Sequence, residues 1–401
     1  MKILQINSVC GFGSTGRIAV QIQKTVEQNG GEGIIAFGRG EAPEGVKSYK
    51  INSDIDVKFH GVLSRITDRQ GFYSKGATHR LVNFIKEYNP DVIHLHNIHG
   101  YYLNAKILFD FLAEYGKPVV WTLHDCWAFT GHCSYFSYEG CDKWKSGCYS
   151  CPLKNEYPAS ILMDNSKKNY DEKKQIFTAL KNAVIVTPSK WLGGIIKESF
   201  LGKYPVKVIY NGIDIDCFKP TESNFKEKYG IEDKKIVLGV ASVWEKRKGL
   251  NDFYKLNEII GDDYKIVLVG LNSAQLAELP EGIIGIKRTN SARELAEIYT
   301  AADVFVNTTY EDNYPTTNLE ALSCGTPVVT YNTGGSPESV REGNGFTVPQ
   351  GDVNAIAEVL PKTSELKVVT DGEFSASLKY EEYISLYKEI ISNSNQAFTD
   401  F

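Results

Sequence analysis

The stretch KILQINSVCGFGSTGRIAVQIQKTV, residues 2–26, decides the fold class. Its first residues alternate loosely between apolar and polar, as in a strand, and three glycines follow. Ile18, Ile22 and Val26 then recur every four residues, as on the buried face of a helix. The same alternation of strand and helix patterns continues along the chain, for example with a strand at 119–123 and another at 183–186. The sequence therefore predicts an α/β protein with parallel, doubly wound sheets.

Length and composition limit the class of protein further. A single core stops growing at roughly 250–300 residues, so a chain of 401 residues predicts two domains. The opening residues lack the charged and apolar regions of a signal peptide, and no run approaches the roughly 18 apolar residues of a membrane span. We therefore expect a cytoplasmic protein. The net charge of -5 argues against a nucleic-acid partner.

A basic stretch lies within residues 57–88, where apolar side chains separate six basic residues from one another. Two interpretations are open: a solvated helical face, or a patch that docks on anionic lipid or on a phosphate-bearing acceptor. The basic residues are Lys58, Arg65, Arg69, Lys75, Arg80 and Lys86.

The glycine loop Gly11-x-Gly13-x-x-Gly16 matches the dinucleotide fingerprint. An NAD enzyme places an acidic residue about 20 positions later. Here Arg39 occupies that region and would suit an NADP phosphate, so an NADP oxidoreductase is one interpretation. The others are a loop whose glycines let the backbone approach the diphosphate of another nucleotide, and a tight turn without a ligand.

Histidines follow two of the predicted strands, where the rim of a parallel sheet collects ligands. His124 comes directly after strand 119–123, and Asp125 is placed to orient it. His94 and His96 lie on one face of another strand, an arrangement that suits a metal ion or ordinary hydrogen bonding. Asn97 and His99, on the loop beyond, are candidates for acceptor contacts.

Four cysteines, Cys133, Cys141, Cys148 and Cys151, are clustered after His124. Their spacing could supply four thiolates to a structural zinc ion. Unliganded thiols and disulfides are the alternatives.

A more specific pattern occupies the second half: DNYPTTNLEALSCGTPVV at 312–329, TGGSPE at 333–338, YNGID at 210–214 and KG at 248–249. In this order it resembles the donor-binding signature of glycosyltransferase family four, retaining enzymes of the GT-B fold. The resemblance implies two Rossmann-like doubly wound domains that face each other across a cleft. We predict an acceptor-side domain at 1–212, to which a C-terminal helix within 377–401 crosses back, and a nucleotide-sugar donor domain at 213–376.

The resemblance also implies roles for single residues. Asp312, where the family usually has Glu, would contact hydroxyls of the transferred sugar, and Glu320 would hold the ribose hydroxyls. Lys248 would face the donor phosphates, with Arg247 as a second cation because Ser242 stands where an arginine is common. His124 would lie at the donor sugar. The remaining donor-binding candidates are Asn313, Thr316 and Thr317, at the start of a helix whose free N–H groups suit a pyrophosphate.

These features predict a retaining glycosyltransferase that uses a UDP- or GDP-sugar. Its acceptor would be a glycan or lipid-linked glycan of capsular or surface polysaccharide synthesis, reached by peripheral contact with the inner face of the membrane. The resemblance implies no catalytic metal or organic cofactor. A nucleotide-sugar epimerase of the same fold and a non-catalytic sugar-nucleotide binding protein are the alternatives.

Overall fold

The computed structural model describes residues 1–399 and divides the chain into two compact units. Unit 1 comprises Met1–Tyr210 and the chain from Lys379 onward, and unit 2 comprises Asn211–Leu378. Each boundary lies two residues from the one that the sequence predicts. Residues 400 and 401 of the predicted final helix segment lie outside the described residues.

Unit 1 contains a sheet of seven parallel strands in the order β3-β2-β1-β4-β5-β6-β7. In its strand β1, seven of the eight residues are buried, as expected for a parallel sheet that is covered on both faces. The strands are β1 (Lys2–Val9), β2 (Glu32–Arg39), β3 (Ser48–Lys50), β4 (Val92–Leu95), β5 (Val119–Thr122), β6 (Ala183–Thr187) and β7 (Val206–Val208). The helices of its first segment are α1 (Gly13–Gln28), α2 (Asp54–Thr67), α3 (Lys75–Tyr88), α4 (Ala105–Tyr115), α5 (Ser166–Phe177) and α6 (Lys190–Glu198).

Unit 2 contains six parallel strands in the order β10-β9-β8-β11-β12-β13. The strands are β8 (Lys235–Val240), β9 (Tyr264–Val269), β10 (Ile283–Ile286), β11 (Val304–Asn307), β12 (Val328–Tyr331) and β13 (Gly345–Val348). The helices are α7 (Phe225–Tyr229), α8 (Leu250–Ile259), α9 (Ser273–Ala277), α10 (Ala292–Ala301), α11 (Thr316–Ser323) and α12 (Val353–Val359).

The short edge strands escape the sequence patterns. A further strand, β7, follows the predicted strand at 183–186, and the sequence patterns do not indicate β7, β3 or β13. β3 and β7 have three residues each, and none of these six is fully buried, so they lack the apolar run that marks a central strand.

Both sheets have a point where the strand order reverses. β1 pairs with β2 on one side and with β4 on the other, and β8 likewise pairs with β9 and β11. The chain segments that leave the two middle strands of such a sheet diverge and open a crevice at the carboxyl ends of the strands. The crevice of unit 1 therefore lies after β1 and β4, and that of unit 2 after β8 and β11.

The last helix, α13 (Ala376–Thr399), begins in unit 2 and continues in unit 1. Its Tyr383 and Tyr387 are buried in unit 1. At the start of unit 2, Ile213 forms a parallel bridge with Ser375, the residue before α13, and the Ile213 N–H donates to the Phe374 carbonyl at 2.8 Å. The two ends of unit 2 are thus hydrogen-bonded to each other. No described helix combines the length and apolar character needed to cross a membrane.

Candidate active site

The glycine loop of unit 1 joins β1 to α1. Gly11 adopts a φ of +77°, and a Cβ there would lie 2.1 Å from Pro43 Cγ. A Cβ on Gly16 would lie 3.0 Å from the Gly11 nitrogen. Gly13 also has a positive φ, +64°, but a Cβ there would meet nothing within 4 Å. Gly11 and Gly16 therefore serve close packing, whereas Gly13 lies in open space at the first turn of α1.

This end of α1 has the properties of an anion site. Its N-cap residue, Phe12, provides no side-chain hydrogen bond, and the first turn carries no acidic residue. Backbone N–H groups at such a helix start carry a partial positive charge. The loop can therefore accept a phosphate group without any basic side chain.

A chain of hydrogen bonds connects β1 to His124. The Gln5 amide donates to the Ala19 carbonyl at 2.9 Å, which leaves its Oε1 to accept from His96 Nε2, also at 2.9 Å. His96 Nδ1 then faces His124 Nε2 at 3.0 Å. Because His96 donates through Nε2, its Nδ1 accepts, and His124 must donate through Nε2. Neutral His124 therefore presents Nδ1 as an acceptor.

Burial keeps these imidazoles neutral. Desolvation lowers the pKa of His124 to about 4 and holds the pKa of His96 well below its ordinary value. The same effect lowers the pKa of His94. Near neutral pH the rings are thus hydrogen-bonding groups rather than cations. His124 is the partly exposed member of the three, so it is the one that can meet a ligand.

Asp125, which the sequence predicts to orient His124, is hydrogen-bonded to His99 and to Trp127. Its Oδ2 accepts from His99 Nε2 at 2.7 Å, and its Oδ1 accepts from the Trp127 N–H at 2.9 Å. Burial would raise the pKa of Asp125, but the interactions with His99 and Trp127 hold it below its ordinary value. His96 is thus one hydrogen-bond partner of His124, and His99 is one of Asp125.

His99 is held from both sides. Besides Asp125 it contacts the Tyr157 hydroxyl, which lies 3.2 Å from His99 Nδ1. The His99 side chain is buried, whereas Asn97 beside it is partly exposed and its carbonyl accepts from the Tyr102 hydroxyl at 2.9 Å. Asn97 is therefore the more accessible of the two predicted acceptor residues.

His94 and His96 do lie side by side, with ring centroids 4.1 Å apart. Both nitrogens of His94 are engaged, one with the Tyr387 hydroxyl at 2.6 Å and the other with Thr122 Oγ1 at 2.8 Å. These partners favour the hydrogen-bonding interpretation of the pair over the metal-binding one.

In unit 2, Lys248 and Asp312 form an ion pair at the crevice. Lys248 Nζ lies 2.5 Å from Asp312 Oδ2, and Arg247 Nη1 donates to the Glu311 carbonyl at 3.0 Å. Burial would raise the pKa of Asp312, but the charges of Lys248 and Arg247 hold it below its ordinary value. Both adjacent cations therefore reach the loop that follows β11.

Backbone contacts explain why a glycine follows Lys248. The Tyr310 N–H donates to the Arg247 carbonyl at 2.7 Å, and Thr308 Oγ1 donates to the Lys248 carbonyl at 2.9 Å. Gly249 has a φ of +71°, and a Cβ there would lie 2.2 Å from the Thr308 oxygen. The loops that follow β8 and β11 are thus fixed to each other, which fixes the position of both cations.

Helix α11 begins beside this pair, as the sequence predicts. Its N-cap residue is Pro315, without a side-chain cap, and Thr316 and Thr317 in its first turn are partly exposed. Asn313, which precedes the helix, is buried. Glu320 is also buried, and its Oε2 accepts from the Tyr299 hydroxyl at 3.1 Å.

An open pocket of about 450 Å³ lies at the carboxyl ends of β8, β9 and β10. Ser242 and Gly270 line one part of it, and Lys287 and Arg288 another. Ser242 is the residue that replaces the common arginine, so the pocket is open where that side chain would lie.

Several residues of the two crevices were missed at the sequence level, namely Gln5, Tyr157 and Tyr299. Gln5 carries a usable signal, because it is a polar residue in the middle of a buried strand. Tyr157 lies in an irregular segment more than 30 residues beyond His124, and no spacing rule connects it to His99.

Two family models match the chain in sequence. The model described as Glycosyltransferase Family 4 matches residues 33–217, and the model described as Glycosyl transferases group 1 matches residues 221–381. The first lies mainly within unit 1 and the second mainly within unit 2. Together they account for most of the chain.

Curated proteins similar to this chain are also glycosyltransferases by name. WcaC of Escherichia coli K12, named as a colanic acid biosynthesis glycosyl transferase, is 25% identical over 97% of this chain and 100% of its own length. CapM of Staphylococcus aureus, named as a capsular polysaccharide biosynthesis glycosyltransferase, is 25% identical. The match with CapM covers 46% of this chain and 54% of CapM.

Solved structures show the same fold over the whole chain. Sucrose-phosphate synthase from Thermosynechococcus elongatus superimposes with a TM-score of 0.67 at 14% identity, and HepE of Anabaena in complex with UDP with a TM-score of 0.61 at 16%. Each superposition covers 100% of both chains. The architecture is thus GT-B, and the two family models, with the relatives named as glycosyltransferases, show that the chain is a glycosyltransferase similar to glycosyltransferase family four.

Proposed function

We propose that this enzyme is a retaining glycosyltransferase that takes a nucleotide sugar as donor and passes the sugar to a lipid-linked glycan of surface polysaccharide synthesis. The observation that carries the proposal is the Lys248–Asp312 pair, which lies beside the start of α11 at the crevice of unit 2. A cation, a carboxylate and free helix N–H groups are the complement of a sugar diphosphate.

The donor half of the proposal assigns a part of the ligand to each group. Lys248 and Arg247 balance the charge of the diphosphate, which increases as it leaves the sugar. Asp312 accepts hydrogen bonds from hydroxyls of the sugar and Glu320 from those of the ribose, since an ionised carboxylate can accept two such bonds. The base lies in the pocket beside Ser242. HepE was solved with UDP and UDP-glucose, which supports a nucleoside diphosphate ligand and makes UDP-sugars the first donors to test.

Retention follows from the family resemblance and requires no nucleophile from the protein. The acceptor oxygen bonds to the anomeric carbon on the face from which the diphosphate departs, and a phosphate oxygen takes the acceptor proton. Neutral His124 accepts a hydrogen bond from the sugar. The chain thus supplies charge stabilisation and orientation rather than a covalent intermediate.

The acceptor half is supported by named relatives. A Campylobacter jejuni enzyme 27% identical over 45% of this chain is named as an N-acetylgalactosaminyltransferase that acts on a sugar linked to diphospho-undecaprenol, and the match covers 54% of that enzyme. Its name supports a polyprenyl-diphosphate-linked acceptor, and the names of WcaC and CapM support surface polysaccharide synthesis. An acceptor of this kind remains in the membrane, so the enzyme has to work at the bilayer surface.

A face of unit 1 suits that location. Ile55, Phe59, Val62 and Ile66 follow one side of α2 and are all exposed, Ile55 at 79%. The segment 161–163, with three more exposed apolar residues, is fixed alongside, because the Ile161 N–H donates to the Arg65 carbonyl at 2.7 Å. An exposed apolar stripe is typical of a surface that is covered by a partner or a bilayer.

Basic side chains complete this face. Lys58 and Arg65 are exposed on α2 beside the apolar stripe, and they favour anionic lipid headgroups. The helical-face interpretation of the basic stretch and the docking interpretation thus apply to the same residues. We propose that α2 and residues 161–163 rest on the cytoplasmic surface of the membrane.

The donor is tested with purified protein, a panel of UDP-, GDP- and ADP-sugars, and a polyprenyl-diphosphate-linked disaccharide as acceptor. Transfer from one nucleotide class, lost in Glu320→Ala, is expected. Proton NMR of the product then reports the anomeric configuration directly. A product of inverted configuration would contradict the retaining mechanism, and interconversion of donor sugars without acceptor would contradict the transferase assignment.

The membrane face is tested by flotation with vesicles of phosphatidylglycerol and of phosphatidylcholine. Binding to the anionic vesicles is expected for the natural protein, and Phe59→Ser should weaken it. Val369→Ser, at an exposed apolar residue of unit 2, is the matched control and should bind normally. Equal binding of all three proteins would remove α2 from the proposal.

A further inference from the structure

The segment between the short 3₁₀ helix Trp127–Phe129, which follows β5, and the start of α5 is long and irregular. Within the described chain, residues 130–165 contain one three-residue 3₁₀ helix, Lys143–Lys145, and no strand or α-helix. Irregular segments of this length are uncommon inside a compact domain unless something holds them. A cross-link by disulfides or metal is the usual substitute for regular hydrogen bonding in such segments.

Four thiols of this segment line one small cavity, those of Cys133, Cys141, Cys148 and Cys151. The Cys133 and Cys151 thiols hydrogen-bond each other, and the Gly131 N–H donates to the Cys148 sulfur. Phe136 and Trp144 form an apolar wall of the same cavity. Residues separated by up to 18 positions in sequence are therefore gathered around one point.

His132 lines the same cavity with an unused nitrogen. Its side chain is fully buried, and Nδ1 is hydrogen-bonded to the Asp68 carboxylate. Within the described residues, Nε2 has no hydrogen-bond partner. A buried nitrogen of this kind is costly unless a further group completes its hydrogen bonding.

A buried cation lies beside the thiols as well. Lys173 is 1% exposed and donates to the carbonyls of Trp127 and Thr130 at 2.8 and 3.1 Å. In the described part of the chain no carboxylate lies within 4.0 Å of its ammonium group, and the first of the groups that act on it electrostatically is Cys148. The Trp127 ring also lies against it, with its centroid 3.4 Å from Nζ, and negative charge nearby would further stabilise the protonated amine.

We propose that Cys133, Cys141, Cys148 and Cys151 bind one structural zinc ion that cross-links residues 130–165. Zinc prefers four thiolates in tetrahedral arrangement at structural sites. Binding releases the four thiol protons to solvent and leaves a centre of net charge -2. The negative charge of this centre offsets that of a protonated Lys173, and protonated His132, which donates to Asp68 through Nδ1, can donate to a thiolate through Nε2.

The side chains need to turn for this to occur. As they stand, the described residues contain no group of three or more His, Cys, Asp or Glu side chains arranged to hold a metal ion. The four sulfur atoms therefore have to converge on the cavity that they already line. The proposal requires rotation about the Cα–Cβ bonds and shifts of the irregular backbone that carries these cysteines.

The zinc ion would also act on the candidate active site through Tyr157. This residue lies in the cross-linked segment, six positions after Cys151, and contacts His99. Ordering of the segment holds Tyr157 in place. The inference is independent of the donor and acceptor proposed above, since it requires only the thiols and their surroundings.

The experiment is a metal analysis of full-length protein, purified without added metal and freed of any histidine tag. Plasma mass spectrometry should give about one zinc per chain. Cys148→Ser and Cys151→Ser should lower the zinc content severalfold. Cys217→Ser is the matched control, because this cysteine lies in unit 2, and it should retain the metal; His132→Asn should retain it too, since four sulfurs complete the coordination.

Natural protein provides a second measurement in case a cysteine variant fails to fold. A mercurial reagent should release the zinc in step with the modification of four thiols, and cobalt in place of zinc should give the intense visible bands of tetrahedral thiolate coordination. Metal-free protein with reactive thiols, disulfides among these cysteines, iron with sulfide, or zinc that survives Cys148→Ser would each overturn the proposal.

Discussion

The two units share one architecture but provide different chemistry at their crevices. All seven histidines of the chain lie in unit 1, where the crevice consists of neutral imidazoles in a hydrogen-bonded chain. Unit 2 contains no histidine, and its crevice consists of charged groups around the Lys248–Asp312 pair. Both units have a parallel sheet whose strand order reverses at its first strand, with seven strands in unit 1 and six in unit 2.

This difference shows that the fold determines where a site lies but not what the site does. The carboxyl ends of the middle strands are the location in both units. The surroundings of each side chain set its protonation state. Burial keeps His124 neutral, whereas two neighbouring cations keep Asp312 ionised. Four predictions test whether the contrast between neutral and charged crevices is functional.

The largest effect is expected when the charged crevice loses its cation. Lys248→Met should lower kcat/KM by about 10²–10³-fold, because a cation that opposes leaving-group charge acts mainly in the transition state. It also leaves the Asp312 carboxylate without its ion pair, so the thermal midpoint should fall. Steady-state kinetics and thermal unfolding measure the two effects separately.

A double variant separates them further. Lys248→Met with Asp312→Asn removes both charges and should recover much of the lost midpoint while activity remains low. Lys246→Ala, at an exposed residue of the same turn, should retain normal activity. Full activity in Lys248→Met would break the contrast between the two crevices.

The next largest effect is a loss of stability in unit 1 at mildly acidic pH. Desolvation lowers the pKa of His60 to about 3 and that of His124 to about 4, and it holds His94 and His96 well below their ordinary values. Between about pH 6.5 and pH 4 the unfolded chain therefore binds more protons than the folded one. Stability is complete above pH 6.5 and falls with decreasing pH, by a few kcal/mol in order of magnitude.

One histidine acts in the opposite direction. Burial would lower the pKa of His132, but the Asp68 carboxylate raises it, so this group favours the folded state as pH falls. Pulse proteolysis at pH 7.5 and pH 5, with mapping of the fragments, should show cleavage first in unit 1. Equal loss of both units would mean that the histidines do not determine acid stability.

A smaller effect is expected from the neutral crevice itself. His124→Ala should lower kcat/KM by about 10- to 100-fold, since it removes one hydrogen bond to the sugar and leaves His96 Nδ1 without its donor. His79→Ala, at an exposed position of α3, is the matched control and should be as active as the natural protein. If His124→Ala were as inactive as Lys248→Met, His124 would have a larger role in the reaction than one hydrogen bond to the sugar.

The smallest effect is expected at the glycine loop. Gly13→Ala places a methyl group in open space at a positive φ and should cost about 1 kcal/mol of stability, with a several-fold rise in the KM for the donor. Gly11→Ala should cost more stability, because its methyl group would overlap Pro43. Chemical denaturation and donor titration distinguish the two. Reversed stabilities would contradict the packing role of Gly11.

The central strands and the ligand rims could be predicted from sequence, for a physical reason. A buried parallel strand has to be apolar along its length, and a glycine loop or a histidine directly after it is visible as a break in that pattern. β1, β5 and their following residues show both signals. The prediction of GT-B architecture rested on the motif at 312–329, whose residues surround the start of α11.

Partner assignments could not be predicted, because they depend on long-range packing. Asp125 accepts a hydrogen bond from His99, 26 positions away in sequence, and nothing in the local sequence indicates this partner. Tyr387 reaches His94 from 293 positions away. No local pattern carries information of that range.

The bridge between Ile213 and Ser375 has a consequence for protein engineering. Because this bridge holds the first and last residues of unit 2 together, the two ends of segment 211–378 lie close to each other in space. A chimera with a relative's donor unit should therefore be built as a cassette with two junctions, near 210 and 378. A single crossover near 210 would instead replace α13 as well, and with it the tyrosines that pack against His94 and Thr122.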